Sequence, residues 1–334
     1  MSVTWLVQTR LINDVFSDPG LLIDFRFGRR AILFDLGDIH GLSSREILRV
    51  SHVFVSHTHM DHFAGFDRLL RLSLRRPAPL HLLGPEGFID RVRHKLEAYT
   101  WNLLDETAGE FCITATEFVA DRLHRGCRFS AREAFEPRVF VPMQLPAGTL
   151  LDEEAFRIRA AVLDHAVPCL AFAFEEKLRI NVHRQGLDAL GLPVGPWLNK
   201  AKREVRRGSA DTTPIFIAPD RSVPLGLLKA EALRSAAGQR IAYVVDAAYH
   251  AANIGRITAL ARHADQLFIE ATFLDSDAAL AAERRHLTAA QAGAIARAAE
   301  VVRVTPFHFS PRYLDREEEL RREMQLAFAG SKSA

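Results

Sequence analysis

Short apolar runs separated by turn residues dominate the first third of the chain. The runs TWLVQTRLI, LLIDFRF, AILFDLG and HVFVSH are rich in valine, isoleucine and phenylalanine, and the turn sequences DPG and GRR interrupt them. Apolar runs of this length between turn residues are typical of β-strands. We therefore predict four antiparallel strands that lead into residues 57–62.

The segment that follows these runs changes to a helical period. In AGFDRLLRLSL, the apolar residues Phe66, Leu69, Leu70 and Leu74 recur every three or four positions, with arginines between them. This spacing predicts an amphipathic helix. Residues 57–62 are therefore expected at a junction between a strand and a helix.

Four apolar runs of the second half each carry an ionisable residue at or near their end. They are FRIRAAVLDH (156–165), QRIAYVVDAAYH (239–250), ADQLFIEATF (264–273) and VVRVTPFHFS (301–310). Each run predicts a strand. We expect the polar ends of these strands to converge on one edge of a sheet.

Two helices are predicted near the C-terminus. Thr288 followed by Gln291 fits a capping box, which places the start of one helix at Thr288 and His286 just ahead of it. In the later segment DREEELRREMQLAF, apolar residues share one face, which is typical of an amphipathic helix docked on a core.

Composition indicates a folded, soluble protein and says little about its partner. The 334 residues are 48% apolar and 25% charged, as in globular proteins, and their number leaves the domain count open. The net charge of +2 gives no overall attraction to acidic partners. Any nucleic-acid site must therefore be a local patch.

Cysteine spacing and hydropathy indicate a cytoplasmic protein. Cys112, Cys127 and Cys169 are odd in number and lack CxxC spacing, so reduced thiols are expected. No stretch reaches the roughly 18 uncharged apolar residues of a membrane span, and the N-terminus lacks the pattern of a signal peptide. We expect no membrane association.

The segment between Glu175 and Ile215 has little sustained periodicity and an excess of positive charge. From residue 177 to residue 207 it holds only two acids, Asp188 and Glu204. Its eight basic residues are Lys177, Arg179, Arg184, Lys200, Lys202, Arg203, Arg206 and Arg207. This composition predicts a protruding basic arm, although a run of charge is also typical of a solvated surface.

The sequence SHTHMDH places four potential metal ligands, His57, His59, Asp61 and His62, where a strand ends. In an extended segment, residues two positions apart point the same way, so the first three can face one point. Imidazole nitrogens and carboxylate oxygens bind Zn²⁺ or Mn²⁺. Two metals about 3.5–4 Å apart can stabilise both oxygens of a displacement. The cluster therefore predicts a site for two metals.

The HxHxDH pattern is the signature of the metallo-β-lactamase fold superfamily, and the chain resembles the ribonuclease Z family within it. The similar segments, in the family's order, are FDLG, SHTHMDH, LLGPEGF, LDHAVPCLAFAFEE, LGLPVGPWLNKAKREVRRG, ADQLFIEATF, HLTAAQA and FHFSPRY, which span residues 34–313. The resemblance implies an α+β fold, a four-layer αββα sandwich, with one domain over residues 1–334 and an arm inserted at 175–215. It also implies an endoribonuclease that removes 3′ trailers from pre-tRNA by a metal-bound hydroxide.

The resemblance implies a set of seven metal ligands. His57, His59 and His165 would hold one divalent metal, Asp61, His62 and His308 the other, and Asp246 would bridge both. Considered one at a time, the three ligands outside the motif are open to other interpretations. His165 could be a core histidine, Asp246 a turn residue and His308 a neighbour of aromatic rings. The donor types accept both zinc, which is our first expectation, and manganese.

Hydrolysis of a phosphodiester also needs a proton for the departing alkoxide. In the family, the histidine of a His-Ser-Thr-like motif supplies it, and the glutamate of a Glu-Ala-Thr motif orients that histidine. The resemblance assigns these roles to His286 and Glu270, with Asp61 orienting the attacking hydroxide and Asp35 bracing the histidine loop. From the residues alone, His286 could face water beside a helix cap, and Glu270 could be a surface acid.

The resemblance also implies how the substrate is held. The family's arm grips the elbow of tRNA, so the eight basic residues of the segment are candidate RNA contacts through phosphate neutralisation. The family further implies a homodimer in which the arm of one subunit holds RNA that the other subunit cuts. The implied partners are therefore pre-tRNA and a second copy of the chain.

Several departures from the family pattern leave the substrate open. Val245 and Ala247 flank the bridging aspartate where the family has glycine and threonine, Met60 replaces a small residue, and DIHGL follows Gly37 in place of a Gly- and Thr-rich loop. One alternative is a metal-dependent phosphodiesterase that acts on a small molecule such as a cyclic nucleotide. Another is an RNA-binding protein without activity, against which the complete ligand set argues.

Overall fold

A computed structural model of the chain describes residues 5–330. Thr4, which begins the first predicted strand, and both ends of the predicted domain over 1–334 lie outside the described residues. Within these residues, the strands form two large sheets and two small ones.

The first large sheet has eight strands in the order of the sequence. They are β1 (Val7–Leu11), β2 (Leu21–Phe25), β3 (Ala31–Phe34), β4 (Val50–Phe54), β5 (Leu80–Gly84), β6 (Cys112–Val119), β7 (Arg122–Ser130) and β8 (Pro137–Phe140). Pairing is antiparallel at both ends of the sheet and parallel from β3 to β6. The prediction of four antiparallel strands is therefore wrong for β3 and β4. The connection over 35–49 is long enough to carry a helix and cross over, as parallel neighbours require.

The second large sheet has six strands in the order β18, β17, β16, β11, β10, β9. Their bounds are β9 (Thr149–Asp152), β10 (Phe156–Asp164), β11 (Pro168–Glu176), β16 (Arg240–Val244), β17 (Gln266–Glu270) and β18 (Val304–Phe307). Strands β16, β17 and β18 are mutually parallel, and β11 is antiparallel to both β10 and β16. The carboxyl ends of the four predicted strands therefore lie at one edge of the sheet, which confirms that prediction.

Helices flank each large sheet. Beside the first are α1 (Ser44–Ile47), α2 (Met60–Phe63), α3 (Phe66–Ser73) and α4 (Phe88–Glu97); beside the second are α8 (Ala251–Ala261), α9 (Ala278–Arg284), α10 (Ala289–Ala298) and α11 (Glu317–Ala329). Short 3₁₀ turns occupy Ala131–Glu133, Asp275–Asp277 and Pro311–Tyr313. Thr288 and Gln291 form the predicted capping box. The resulting layers are those of the expected αββα sandwich.

Aromatic side chains fill the space between the two large sheets. Phe34 and Phe54 come from the first sheet, and Phe172 and Tyr243 come from the second. The ring centroids of Phe34 and Phe172 are 5.0 Å apart, and those of Phe34 and Tyr243 are 5.8 Å apart. Buried aromatic contacts of this kind contribute strongly to core stability. They hold the strand ends of the two sheets in a defined relation.

Residues 178–236, here called the arm unit, form a smaller folded segment with its own apolar cluster. Its elements are β12 (Arg179–Val182), α5 (Arg184–Ala189), α6 (Trp197–Arg206), β13 (Pro214–Ala218), β14 (Arg221–Pro224), α7 (Leu225–Glu231) and β15 (Leu233–Ala236). Strand β12 pairs with β15, and β13 pairs with β14. Trp197, Leu198 and Leu233 are buried in the cluster, which is separate from the clusters of the sandwich. The arm unit thus continues beyond residue 215, because the partner of β12 lies at residues 233–236.

Among residues 5–330, no helix combines the length and the apolar character needed to cross a membrane.

Candidate metal centre

The candidate ligands follow the carboxyl ends of strands from both large sheets. Residues 57–62 follow β4, His165 follows β10, and Asp246 and His308 follow β16 and β18. These strands end at the same edge of the sandwich, so residues far apart in the chain come together. Asp61 and His308 are 247 residues apart, yet Oδ2 of the first lies 3.3 Å from Nε2 of the second.

The seven predicted ligands form two adjoining groups. His57, His59, His165 and Asp246 each place a potential ligand atom within 4.8 Å of the others, and so do Asp61, His62 and His308. Asp246 lies between the groups. Its Oδ2 is 3.5 Å from His57 Nε2 and 3.4 Å from His62 Nε2, and its Oδ1 is 3.1 Å from His308 Nδ1. The structure therefore brings together every residue of the predicted ligand set.

The donor atoms of this centre fit a metal ion. Nε2 of His57, Nε2 of His62 and Oδ1 of Asp246 are buried and, within residues 5–330, have no well-aligned hydrogen-bond partner. Unpartnered polar atoms in a protein interior are costly. A cation placed among them would satisfy all three, and nitrogen and carboxylate donors are the ligand types that zinc and manganese accept.

Asp35 braces the loop that carries the histidines. It is fully buried with a φ of +61°, and its carboxylate accepts hydrogen bonds from the Ser56 amide at 2.6 Å and the Ser56 hydroxyl at 2.9 Å. Its Oδ2 also lies 3.0 Å from Nδ1 of His62, and it accepts a bond from the Tyr243 hydroxyl at 3.2 Å. Because Nδ1 of His62 is occupied in this way, Nε2 is left facing Asp246.

The pKa values of His57 and His62 are shifted in opposite directions by burial and by neighbouring charges. Burial, together with the nearby His62, lowers the pKa of His57 to about 2, so this ring is neutral and able to bind a metal. Burial alone would lower the pKa of His62 too, but the carboxylates of Asp246 and Asp35 outweigh it and raise that pKa. A metal ion at His62 would therefore have to displace a proton.

His165 is oriented by the main chain of a distant loop. Its Nδ1 lies 2.9 Å from the carbonyl oxygen of Arg285, so this nitrogen carries the hydrogen and donates it. Its Nε2 lies 3.4 Å from Oδ2 of Asp246. The hydrogen bond fixes the tautomer in which Nε2 is free to act as a ligand.

The partly buried His286 pairs with the fully buried Glu270 beside the two groups. Nδ1 of His286 lies 2.8 Å from Oε2 of Glu270 and 3.9 Å from Oδ1 of Asp246. Burial alone would lower the pKa of His286, but the adjacent carboxylates of Glu270 and Asp246 raise it to about 9. Glu270 is fully buried, so it is not a surface acid. These residues also lie close enough to Asp246 and His308 to form a third potential ligand group.

Glu270 also connects the pair to the neighbouring strand ends. Its Oε1 accepts a hydrogen bond from the Ala247 amide at 2.7 Å, and its Oε2 accepts one from the Thr272 hydroxyl at 2.6 Å. The main chain at residue 247 therefore makes this contact although the side chain departs from the family pattern. Because hydrogen bonds fix both oxygens of the Glu270 carboxylate, its contact with His286 holds that ring in one orientation.

A cavity of about 690 Å³ opens onto the centre. Asp61, Asp246, His286 and His308 are among the residues that line it. Its lining also includes the apolar Phe16, Phe309 and Leu280 and the basic Arg284 and Arg312. The cavity can therefore accept a group that is partly apolar and partly anionic, next to the candidate proton donor.

The eight basic residues predicted to contact RNA lie on or beside the arm unit and outside the metal centre. Lys177, Arg184, Lys200, Arg203 and Arg207 are exposed, whereas Arg179, Lys202 and Arg206 are partly buried. Several contact the sandwich: Arg179 lies 4.6 Å over the Trp5 ring, Lys177 pairs with Asp152 at 2.7 Å, and Arg207 pairs with Glu154 at 3.0 Å. Part of this charge therefore attaches the arm unit to the sandwich.

Three residues of the centre were missed by the sequence reasoning. Tyr243 supports Asp35, Arg285 orients His165, and Sγ of Cys169 lies 3.6 Å from Nδ1 of His57. Tyr243 stands in an apolar run, where a tyrosine resembles any core residue. The contact of Arg285 runs through its carbonyl oxygen, which no sequence pattern reports.

Two known proteins similar in sequence cover nearly the whole chain. A ribonuclease Z of Deinococcus radiodurans is 32% identical over 311 residues, which are 92% of this chain and 91% of that protein. A ribonuclease Z of Treponema denticola is 27% identical over 299 residues, 85% of this chain and 80% of that protein. No protein-family model matches the chain.

Solved structures share the fold at lower identity. The metallo-β-lactamase fold protein YhfI of Bacillus subtilis aligns with a TM-score of 0.55 and 16% identity, over 97% of this chain and 94% of that one. The short form of human tRNase Z aligns with a TM-score of 0.52 and 19% identity, over 91% and 93%. These similarities establish the metallo-β-lactamase fold expected from the sequence.

Proposed function

The chain belongs to the ribonuclease Z family of the metallo-β-lactamase fold, and from this membership we propose that it is a metal-dependent endoribonuclease that removes 3′ trailers from pre-tRNA. The observation that carries the proposal is the placement of His286. Its ring is held by Glu270 and lies beside Asp246, where the two ligand groups meet. A proton donor there suits the departure of an alkoxide, which is a poor leaving group without a proton.

We propose that the centre holds two divalent metal ions, with zinc preferred over manganese. One would be held by His57, His59 and His165, the other by Asp61, His62 and His308, and Asp246 would contact both. When bound, the metals would lower the pKa of water and neutralise charge on the phosphate. The preference for zinc rests on the five histidine donors, because carboxylate-rich and water-rich sites suit manganese better.

The residues of the chain orient the reaction around this centre. The Asp61 carboxylate, 41% exposed at the cavity, is placed to accept a hydrogen bond from the attacking water and so to direct it toward phosphorus. Glu270 keeps His286 protonated, and His286 gives that proton to the departing 3′ oxygen. The products would be a tRNA with a 3′ hydroxyl and a trailer with a 5′ phosphate.

We propose a single domain in which the arm unit holds the pre-tRNA. The support is the position of this unit outside the sandwich, with its own apolar cluster and its excess of basic residues. The exposed Arg184 and Lys200 are the best candidates for phosphate contacts, since neither takes part in the ion pairs with Asp152 and Glu154. Such contacts would add affinity without sequence preference.

We further propose a homodimer that acts in the cytoplasm. The dimer is supported by family membership, and light scattering on the purified protein would test it. The cytoplasm is supported by Cys112, Cys127 and Cys169, which are free thiols in the structure and would oxidise more readily outside a reducing compartment.

The test is cleavage of a trailer-bearing pre-tRNA, with the cut mapped to a single nucleotide. The zinc-loaded protein should release an intact trailer with a 5′ phosphate, and His286→Ala should slow that cleavage by about 10²-fold or more, the size of effect expected for loss of a general acid. A protein that leaves pre-tRNA uncut but hydrolyses a cyclic nucleotide would overturn the proposal. Unchanged cleavage by His286→Ala would remove the proton-donor role.

A further inference from the structure

Arg285 touches both parts of the proposed catalytic apparatus. It directly precedes His286, its carbonyl oxygen contacts the ring of His165, and its side chain pairs with Asp164, the last residue of β10. The ring centroids of His165 and His286 are 4.9 Å apart. One residue therefore connects the segment of a proposed metal ligand with the segment of the proposed proton donor.

The main-chain contact depends on an unusual backbone conformation. Arg285 ends α9 with φ +59° and ψ 42°, and its carbonyl oxygen accepts the hydrogen bond from Nδ1 of His165 at 2.9 Å. A residue with a Cβ atom rarely adopts left-handed backbone angles unless surrounding contacts hold it there. Here the hydrogen bonds of the helix C-cap hold it, from the Arg285 amide to the Ala282 carbonyl oxygen at 3.2 Å and from the His286 amide to the Ala281 carbonyl oxygen at 2.9 Å.

The side-chain contact is a pair with Asp164. Nη1 of Arg285 donates to Oδ1 and Oδ2 of Asp164 at 3.1 and 3.2 Å. Asp164 is itself fixed, because the buried Asn253 side chain accepts from its amide at 3.0 Å and donates to its carbonyl oxygen at 2.9 Å. Oδ1 of Asp164 also accepts from the Ala166 amide at 2.9 Å. The arginine is thus attached to a rigid strand end.

We propose that Arg285 is a positioning residue that, through its pair with Asp164, holds His286 at a set distance from the metal ligand His165. This inference rests on the proposed function. The pair is about half exposed, with 46% and 47% of the two side chains accessible, so it should add little to the stability of the fold. Its effect should appear in catalysis, where a displacement of about 1 Å can cost as much as 10²-fold in rate.

The variants distinguish the effect of the side-chain contact of Arg285 from the effect of its main-chain contact. Arg285→Asn keeps a residue that tolerates left-handed angles, and so keeps the carbonyl contact, but it cannot reach Asp164 as arginine does. Arg285→Lys keeps the charge, and Asp164→Asn keeps an acceptor for the Ala166 amide. His263→Asn is the matched control, because His263 is also left-handed at φ +55°, is exposed, and lies at the opposite ends of the strands.

Comparing two substrates distinguishes a misplaced proton donor from a general loss of catalytic activity. Pre-tRNA loses an alkoxide, which needs the proton from His286, whereas bis(p-nitrophenyl) phosphate loses a phenolate that departs without one. We expect Arg285→Asn and Asp164→Asn each to lower kcat on pre-tRNA by about tenfold with KM within about twofold, and Arg285→Lys to recover part of the loss. Hydrolysis of the phenyl ester and the metal content should match the parent protein. The double variant should be no slower than the slower single one, since both remove the pair of Arg285 with Asp164 and only Asp164→Asn also changes the contact of Asp164 with His250.

The outcomes distinguish this inference from the function on which it rests. Equal losses on both substrates, a change in KM alone, or variants that equal the parent on pre-tRNA would overturn the positioning role while leaving the endoribonuclease in place. A parent protein that hydrolyses the phenyl ester but never cuts pre-tRNA would overturn the proposed function and this inference with it.

Discussion

The Asp35 carboxylate illustrates how much of the centre depends on groups that do not touch a metal. It is fully buried, and Ser56 and Tyr243 donate hydrogen bonds to its oxygens. Its Oδ2 in turn contacts Nδ1 of His62 at 3.0 Å and so orients that ring. The hydroxyl of Tyr243 would therefore act on a bound metal through two intermediate residues.

We predict that Tyr243→Phe weakens metal binding by about tenfold, because outer contacts of this type tune ligand orientation and basicity. The ring remains to fill the core, so the loss in the free energy of unfolding should be only about 1 kcal/mol. Competition with a chromogenic chelator measures the affinity, and urea unfolding measures the stability. Tyr313→Phe is the control, because its buried hydroxyl bonds Asp277 instead: it should lose similar stability and no metal affinity.

At this scale the sequence predicted the side chains with distinctive chemistry and missed the supporting ones. The motif at residues 57–62 and the family match placed His165, Asp246 and His308, which the structure brings together. Tyr243 and the carbonyl oxygen of Arg285 were not predicted. A tyrosine in an apolar strand resembles any core residue, and a main-chain acceptor has no sequence signal.

At the scale of elements, the direction of strand pairing decided where polar groups meet. Individual strands were predictable from composition, but β3 and β4 pair in parallel, contrary to expectation. Period-2 patterns and turn residues report that a strand exists, whereas its direction depends on what the connection can span. The parallel arrangement puts Asp35, after β3, beside Ser56, after β4. An antiparallel pair would have placed these residues at opposite ends.

Strands β4 and β5 also carry a stacked histidine pair that should make stability depend on pH. The rings of His52 and His81 are 4.6 Å apart, and Nη2 of Arg30 lies 3.2 Å from Nδ1 of His52, which therefore acts as acceptor. Burial, together with the neighbouring His81, Arg30 and Arg76, lowers the pKa of His52 to about 2. Unfolding restores an ordinary value near 6.5.

Because the folded pKa lies below the unfolded one, His52 contributes stability that is complete above about pH 6.5 and is lost as the pH falls toward the folded value. Below pH 6.5 the unfolded chain binds the extra proton, at up to about 1.4 kcal/mol per pH unit for each such group. We predict that His52→Asn, which keeps an acceptor for Arg30, lowers the number of protons bound on unfolding below pH 6.5 by up to about one. The free energy of unfolding should then fall less steeply as the pH is lowered. Urea unfolding at several values between about pH 7 and pH 5 measures it, and identical slopes in parent and variant would contradict it.

At the scale of the whole molecule, some basic residues of the arm unit contact the sandwich, and others are candidates for contact with RNA. Arg179 and Arg207 contact Trp5 and Glu154 of the sandwich, and Lys177, just before the arm unit, contacts Asp152. The sequence predicted a basic segment there, but it gave no sign of the apolar cluster that runs to Leu233, because the residues that build it are scattered among polar ones. Charge counts alone could not separate attachment from RNA contact.

We predict that Arg184→Ala combined with Lys200→Ala weakens pre-tRNA binding by about tenfold without lowering stability. Each cation removed from a phosphate should also reduce the slope of log K against log salt by up to about 0.9, and the double variant therefore by up to about 1.8. Binding measured by filter retention at several salt concentrations tests both effects. The control removes equal charge elsewhere, by Arg138→Ala and Arg262→Ala on exposed surfaces of the sandwich, and it should leave the salt slope unchanged.

The proposed metals would also join the two large sheets. Residues 57–62 follow a strand of the first sheet, whereas His165, Asp246 and His308 follow strands of the second. Ions bound between them would link the sheets at one edge, where carboxylates and histidines otherwise bury unpartnered atoms. Metal binding should therefore contribute to the stability of the whole sandwich as well as to catalysis.

We predict that removing metal by chelation lowers the melting temperature by at least roughly 5 °C and that adding zinc back restores it. A ligand at a hundred times its Kd stabilises the folded state by about 2.7 kcal/mol, and each kcal/mol moves Tm by a few degrees in a protein of this size. Calorimetry across a zinc titration measures the shift. Asp246→Asn is the matched variant, because it removes the charge shared by both ligand groups while keeping the shape of the side chain. Its Tm should respond weakly to zinc, whereas a parent protein whose Tm ignores zinc would show that the two sheets are not joined by metal.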